Sequence, residues 1–339
     1  MSQTAAAVAE KRPPSWFAVP VLFWLPETKL GIAAAGGFHF HLDGSPSPSN
    51  VLAVAGYTLE KQGTVDVTSD VYLRGGTLLT GRLRIVHYPD WYYGIGPETT
   101  ETGRASYTRR YAELIAQAEL PIAGTRLRAG PRLVAHGEEI WDARPDGSLA
   151  TSGLPGVNGY RSLGFGASVT WDTRDRPLYP ARGTFAQAYY VRHPEAVAGP
   201  GFGKGTLDLR LFRPLPRETV LGLGFVVETS DGDVPVLQYP KLGSARYLRG
   251  YRDGRYRDRL SWAGQAELRV PLHARLSGTV FGGLGDVAPD VTALDLDTVK
   301  VAAGLGLRYR LTDEGVNLRL DVAASDAGVE VYVVLLEAF

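Results

Sequence analysis

Six histidines, His39, His41, His87, His136, His193 and His273, are the side chains of this sequence best suited to proton or metal chemistry near neutral pH. None sits in a catalytic pattern: there is no G-x-S-x-G nucleophile elbow and no H-E-x-x-H zinc motif. His39 and His41 share parity, so on a strand they would face one metal together, but no third ligand accompanies them and a structural or interfacial role is the better reading. The absence of cysteine removes thiol catalysis, cysteine-ligated zinc, iron–sulfur clusters and disulfides. The expectation is a protein that is not an enzyme and has no catalytic residue, metal or cofactor. The densest charge lies instead at 241–259, where Arg246, Arg249, Arg252, Arg255, Arg257 and Arg259 are interleaved with Asp253 and Asp258. Guanidinium groups in such a cluster either bind phosphate at a surface or pair with carboxylates inside the fold.

What must position those arginines follows from hydrophobic period. Alternation recurs along the whole chain: Leu260, Trp262, Gly264, Ala266, Leu268 and Val270 fall on one parity, against Ser261, Ala263, Gln265, Glu267 and Arg269 on the other. The stretch 299–311 opposes Val299, Val301, Leu305, Leu307 and Leu311 to Lys300, Arg308 and Arg310, and 316–322 opposes Leu318, Leu320 and Val322 to Asn317, Arg319 and Asp321. Alternation alone fits a soluble sandwich or a membrane barrel. Strands are expected to begin near Val19, Leu30, Asn50, Val65, Leu78, Ser106, Arg126, Arg161, Thr184, Gly203, Thr219, Leu260, Arg275, Thr298, Gly315 and Val329. Dividing the 339 residues by these sixteen leaves room for tilted spanning strands of at least ~9–11 residues plus connections, where soluble strands average nearer five or six.

Composition agrees. At 44% hydrophobic the chain can build a core, and 36 basic against 36 acidic residues give no net charge to attract nucleic acid. Charge-free stretches such as 15–26 and 31–42 are too short for a spanning helix of ~20 residues. The first residues hold no apolar core of signal length, and the expectation is a trimmed mature chain. The 41 glycines exceed the usual ~7%, and on a barrel wall they permit the curvature that closure demands. Connections alternate in size, short near 121–124, 214–218, 271–275 and 312–315 and long near 87–104, 136–160, 193–202, 230–259 and 285–297, as in outer-membrane barrels. The last segment, GVEVYVVLLEAF, reads as a strand ending on Phe339, with Glu337 reaching water at the rim. Trp16, Trp24, Trp91, Tyr92, Tyr93, Trp141, Trp171, Tyr179 and Tyr332 fall near strand ends and read largely as interfacial girdles.

Four segments resemble the BamA and TamA outer-membrane assembly-factor superfamily, whose barrels are also called bacterial surface antigens. Leu248, Arg249, Gly250 and Tyr251 match its loop-six motif [VI]-R-G-[FY], with Leu in place of the β-branched residue. Asp172, Arg174, Asp175, Pro180 and Gly183 match a strand ending in D-T-R-D followed by a proline-rich periplasmic turn and R-G. WYYGIGP at 91–97 is similar to a Y-G-I-G loop, and VPVLFWLPETKLGIAAAGGF to the P-E-T-x-x-G first hairpin of compact members. Phe339 resembles the C-terminal assembly signal. The resemblance implies an all-β, 16-stranded antiparallel transmembrane barrel over 16–339 in a bacterial outer membrane; the short periplasmic tail expected over 1–15 is too short for the POTRA domains that well-studied members carry, so a member lacking them is expected.

In such a barrel loop six folds into the lumen, where Arg249 needs a carboxylate; Glu267, inward by parity, is the candidate. The family's second carboxylate is replaced by Gly283, and Asp286 is out of register, so Glu267 is expected to hold Arg249 alone. The DTRD segment reads mainly as turn capping with local ion pairs. The resemblance further implies insertion or translocation of outer-membrane proteins or lipids through a labile seam between Val19–Trp24 and Val331–Phe339. The alternative is a passive or plugged pore without insertase activity. Implied partners are outer-membrane lipids and lipopolysaccharide, client proteins, and periplasmic accessory proteins or a second copy of the chain.

Overall fold

The computed structural model describes residues 13–25, 28–45, 47–195, 199–312 and 315–339. Sixteen antiparallel strands form one closed barrel. In chain order they are β1 (Ser15–Leu25), β2 (Lys29–Phe40), β3 (Ser49–Thr58), β4 (Gly63–Tyr72), β5 (Leu78–Tyr92), β6 (Ala105–Pro121), β7 (Leu127–Trp141) and β8 (Gly159–Asp172). They continue as β9 (Gly183–His193), β10 (Phe202–Pro214), β11 (Val220–Gly232), β12 (Leu260–His273), β13 (Leu276–Ala288), β14 (Lys300–Arg310), β15 (Asn317–Ser325) and β16 (Gly328–Leu335). Every strand begins within four residues of its expected position, because the period-2 signal is local to each strand.

The alternation resolves into an outer and an inner face. Leu22 (65% exposed), Ile32 (61%) and Leu305 (63%) stand on the outside, a belt of apolar surface that a bilayer rather than water covers. On the inner parity β12 presents Gln265, Glu267 and Arg269, and β15 presents Asn317, Arg319 and Asp321, all of which but Gln265 are buried. No helix among the described residues is long and apolar enough to cross a membrane; strands pair edge to edge around the closed barrel, as hydrocarbon requires, with the ladder reduced where β1 meets β16. Sixteen strands enclose more space than wall side chains can fill. Loop six, residues 233–259 between β11 and β12, occupies it with a short antiparallel pair of its own, Lys241–Leu242 against Tyr256–Arg257.

Closure is uneven. β1 pairs with β2 along its whole length, from Ser15 opposite His39 to Leu25 opposite Lys29. Against β16 it makes one register pair among the described residues, Trp24 with Val333. The reason is the end of the chain, where the structure departs from the expected strand. β16 stops at Leu335; Leu336 takes a left-handed φ of 66° and donates its N–H to the Asn317 carbonyl at 2.9 Å. Glu337, Ala338 and Phe339 then turn into the lumen. Glu337 does not reach water: its side chain is 3% exposed, accepting from Arg308 Nε at 2.8 Å and from Asn317 Nδ2 at 2.9 Å. Phe339 packs on Phe212 with ring centroids 6.2 Å apart and lies over Gly222 and Gly224, where a Cβ would sit 3.2 and 3.1 Å from its ring. An unpaired carboxylate on the bilayer side of β16 would be costly, so the chain turns where Glu337 finds arginine.

At this seam Val21, with Ala33 and Ala35 from β2, packs with Leu318 and Leu335. Leu318 and Leu335 are on the outward parity of β15 and β16, opposite buried Arg319 and Tyr332. The inner face of β1 therefore laps over the outer face of its neighbours, and apolar contact replaces much of the hydrogen-bonded ladder.

Candidate functional site: the loop-six anchor

Tyr247 to Arg252 carries loop six to the wall formed by β13 to β16. Leu248 adopts φ 55° and Gly250 φ 119°, two successive departures that aim Arg249 inward. Gly250 has no alternative: a Cβ there would stand 2.8 Å from the Ala302 side chain. Its N–H donates to the Tyr332 hydroxyl at 2.9 Å and its carbonyl accepts from Ser325 Oγ at 2.9 Å. Tyr332 in turn donates to the Tyr251 carbonyl at 3.1 Å. The Tyr251 hydroxyl donates to Asp326 at 2.6 Å; burial first, and then that carboxylate, push its phenol well above the ordinary range, so it stays a donor. A Gly250→Ala variant, strained in backbone and crowded against Ala302, is expected to weaken loop-six docking by about 1–3 kcal/mol. Faster protease cleavage within 233–259 in the folded barrel would report it, and an unchanged rate would refute it.

Arg249 is buried, with Nη1 2.8 Å from Glu267 Oε2 and 2.8 Å from Asp321 Oδ2. Its guanidinium lies 3.5 Å from the centroid of the Phe281 ring, a stacked cation–π contact. Two carboxylates therefore meet Arg249, not Glu267 alone. The second is Asp321 on β15; Asp286 is turned to the connection between β13 and β14, accepting from Thr298 Oγ1 at 2.6 Å. Gly283, where the family places its acid, faces Leu248: a Cβ there would lie 3.3 Å from Leu248 Cδ1. Leu in the motif and Gly on the wall are complementary, and the charge has moved two strands along.

Around this pair lies a network the spacing of residues did not disclose. Arg308 of β14 donates to Asp321 at 2.6 Å, Glu267 at 3.1 Å and Glu337 at 2.8 Å. Arg269 of β12 donates through Nε to Glu267 at 2.8 Å and through Nη1 to the Pro180 carbonyl at 3.2 Å, and its Nη2 reaches the Phe339 oxygen at 3.4 Å. Arg319 stands 3.4 Å from Asp321 and donates to the Ala245 carbonyl at 2.6 Å. Four buried guanidinium groups thus face three buried carboxylates. The parity of these residues was visible in the sequence; their pairing across four strands was not, since it depends on closure.

Other arginines of loop six also meet the wall or a neighbouring loop. Arg255 donates to the Thr99 carbonyl at 2.7 Å and lies 3.2 Å from Glu101, Arg252 pairs with Glu330 at 3.3 Å, and Arg246 reaches Asp208 at 3.4 Å. The connection between β5 and β6 meets loop six directly: the Gly96 N–H of the YGIG segment donates to the Arg257 carbonyl at 2.9 Å. Tyr92 and Tyr93 belong to this interior and Tyr332 to the anchor, so these three are core residues and not girdle residues. Trp16, Trp24 and Trp91 remain exposed on the outside.

The DTRD segment leaves β8 into the turn at 173–182. Arg174 forms a fork on Asp172, Nε to Oδ1 at 3.0 Å and Nη2 to Oδ2 at 2.7 Å. Asp175 Oδ1 accepts the N–H groups of Ala181 at 2.9 Å and Arg182 at 3.2 Å, which folds Pro180 back toward Arg269, and Gly183 starts β9. Arg269 thereby ties the D-T-R-D turn, the anchor and Phe339 together. Of the first hairpin, Pro26 and Glu27 lie outside the described residues, and the expected N-terminal tail does so up to residue 12.

A comparison with solved structures finds this architecture in the crystal structure of BamA from Haemophilus ducreyi lacking POTRA domains 1-3, at a TM-score of 0.64 and 13% identity over 96% of this chain and 70% of that one. CdiB from Acinetobacter baumannii matches at a TM-score of 0.59 and 10% identity over 95% of this chain and 59% of that one. CdiB from Escherichia coli matches at 0.58 and 12% over 96% and 63%. The chain thus spans less than two thirds of the length of either CdiB chain. No curated protein matches the sequence. A scan against protein families matches residues 156–327, half the chain, to the Omp85 superfamily domain. That match runs from β8 through the D-T-R-D turn and the loop-six anchor to β15, and with the sixteen-strand barrel around it, this chain belongs to the Omp85 superfamily.

Proposed function

We propose that the protein resides in the bacterial outer membrane and assists insertion or translocation of outer-membrane clients at the seam between β1 and β16. The observation that carries this is the single register pair among the described residues, Trp24 with Val333, where every other neighbouring pair of strands is joined by a ladder. β1 below that pair presents backbone donors and acceptors at an edge, and an exposed edge is a template to which another strand adds. The apolar lap of Val21 on Leu318 and Leu335 holds the seam by non-directional contact, which separates without breaking a row of hydrogen bonds. The loop-six anchor keeps β12 to β16 fixed while β1 moves. Clients are outer-membrane proteins; lipopolysaccharide and periplasmic accessory proteins are the further partners such a barrel would meet.

A disulfide across the seam tests this reading. Directly opposed residues of an antiparallel pair are close enough for a bridge, so a Trp24→Cys, Val333→Cys double variant, in a chain with no other cysteine, oxidises to a locked barrel. Liposomes carrying the oxidised form are expected to lose assisted insertion of an unfolded outer-membrane protein, and reductant is expected to restore it. Equal insertion in both states would leave the passive, plugged barrel as the reading.

A further inference from the structure

Where the chain after Leu335 turns inward, no part of β16 stands beside the first residues of β1. The neighbours there are two turns, and between them opens a cavity of about 190 Å³. Ser15, Trp16 and Phe17 form one wall; Arg275, of the turn after β12, and Leu311 and Thr312, after β14, form the other, with His39 of β2 at the back. Phe17 and His39 stack at 6.4 Å and lie on the lumen parity. Trp16, 76% exposed, and Leu311 lie on the outward parity. The residues around the cavity therefore come from both the lumen face and the outer face of the wall.

Its chemistry is amphipathic in the same sense. Among the described residues no acidic side chain lines it, one guanidinium does, and His39 Nε2 is buried without a hydrogen-bond partner. Two hydroxyls, from Ser15 and Thr312, complete the polar side. At a share of ~30 Å³ per water the space holds about six waters, the size of a phosphate-bearing headgroup and too small for acyl chains. Those would lie outside, along Leu311 and the exposed Trp16, which sits where indole rings mark the membrane interface. We propose that this foot of the seam binds one phospholipid, its phosphodiester held by Arg275 and His39 and its chains running over Trp16 and Leu311. Guanidinium suits a phosphodiester oxygen pair, and the lipid would fill the gap that the inward turn of the chain leaves between β1 and the turns. The site goes beyond the insertase reading and stands whether or not the seam admits clients.

Native mass spectrometry of the delipidated barrel, titrated with 1-palmitoyl-2-oleoyl phosphatidylglycerol, tests it. The parent is expected to retain one lipid, and Arg275→Gln and His39→Ala to bind it about tenfold more weakly, which corresponds to ~1.4 kcal/mol. Inorganic phosphate added in millimolar amounts is expected not to displace it. Equal retention by parent and variants overturns the site, and displacement by phosphate alone makes it a free-anion site rather than a lipid site. If Arg275→Gln yields no heat-modifiable barrel, Thr312→Ala combined with His39→Ala reads the same loss, and full retention there overturns the proposal.

Discussion

A Glu267→Gln variant is expected to unfold at markedly lower temperature or urea than the parent barrel, by about 3–5 kcal/mol, the cost of leaving buried charge uncompensated. Glu267 is the carboxylate on which three guanidinium groups converge, Arg249 at 2.8 Å, Arg269 at 2.8 Å and Arg308 at 3.1 Å. Gln keeps the volume and removes the charge, so packing is spared and the loss is electrostatic. It leaves four buried arginines facing two carboxylates, in a lumen wall where water is largely excluded and the missing attraction is poorly screened. Glu337→Gln is the internal control. Glu337 meets one guanidinium, Arg308 at 2.8 Å, and an amide, Asn317, so its loss should be clearly smaller. The measurement is the midpoint of the shift from heat-resistant to unfolded migration in detergent. A Glu267→Gln barrel within about 0.5 kcal/mol of the parent would show that water, not ion pairing, sustains the cluster.

How much of this was legible in the sequence follows from which interactions are local. Strand positions were readable because Leu260, Trp262, Leu268 and Val270 face one way and Gln265, Glu267 and Arg269 the other through geometry that needs no neighbour. The inward parity of Arg308, Arg319 and Asp321 was equally plain. Their partners were not, for Arg308 and Glu267 lie 41 residues apart and Arg249 and Asp321 72 apart, and only the shear of a closed sheet sets which rungs face each other. Glu337 shows the same limit. Its demand for polar company on an apolar strand was evident, and water at the rim was one way to meet it; Arg308 inside the lumen was the other. That choice moved Phe339 off the wall and reduced the seam to Trp24 and Val333. Leu248 and Gly283, each a departure from the motif when considered alone, make sense only as a contacting pair.

An Arg249→Ala variant is expected to do something different from Glu267→Gln: to free loop six while leaving the barrel closed. Arg249 contributes two charge-assisted contacts, to Glu267 and Asp321, and a stacked ring, Phe281. At ~1.5–3 kcal/mol for each contact to a charged group, its removal takes away about 3 kcal/mol or more of what holds the loop tip. What remains on the wall is Arg269, Arg308 and Arg319 against Glu267, Asp321 and Glu337, three charges of each sign in the geometry they already have. The wall is then no longer short of a carboxylate, and its unfolding midpoint should fall less than that of Glu267→Gln. The loop, by contrast, keeps at this end the Gly250 and Tyr251 hydrogen bonds to Tyr332, Ser325 and Asp326, the Arg252–Glu330 pair and the Arg319 bond to the Ala245 carbonyl. Limited proteolysis should cut within 233–259 in the variant and spare the parent, and the variant's lumen should carry ion current where loop six has left it. A variant barrel that resists both protease and current would mean that Tyr251 and Tyr332, rather than the guanidinium, hold loop six in place. One that collapses as far as Glu267→Gln would mean that the loop arginine is a structural member of the wall itself.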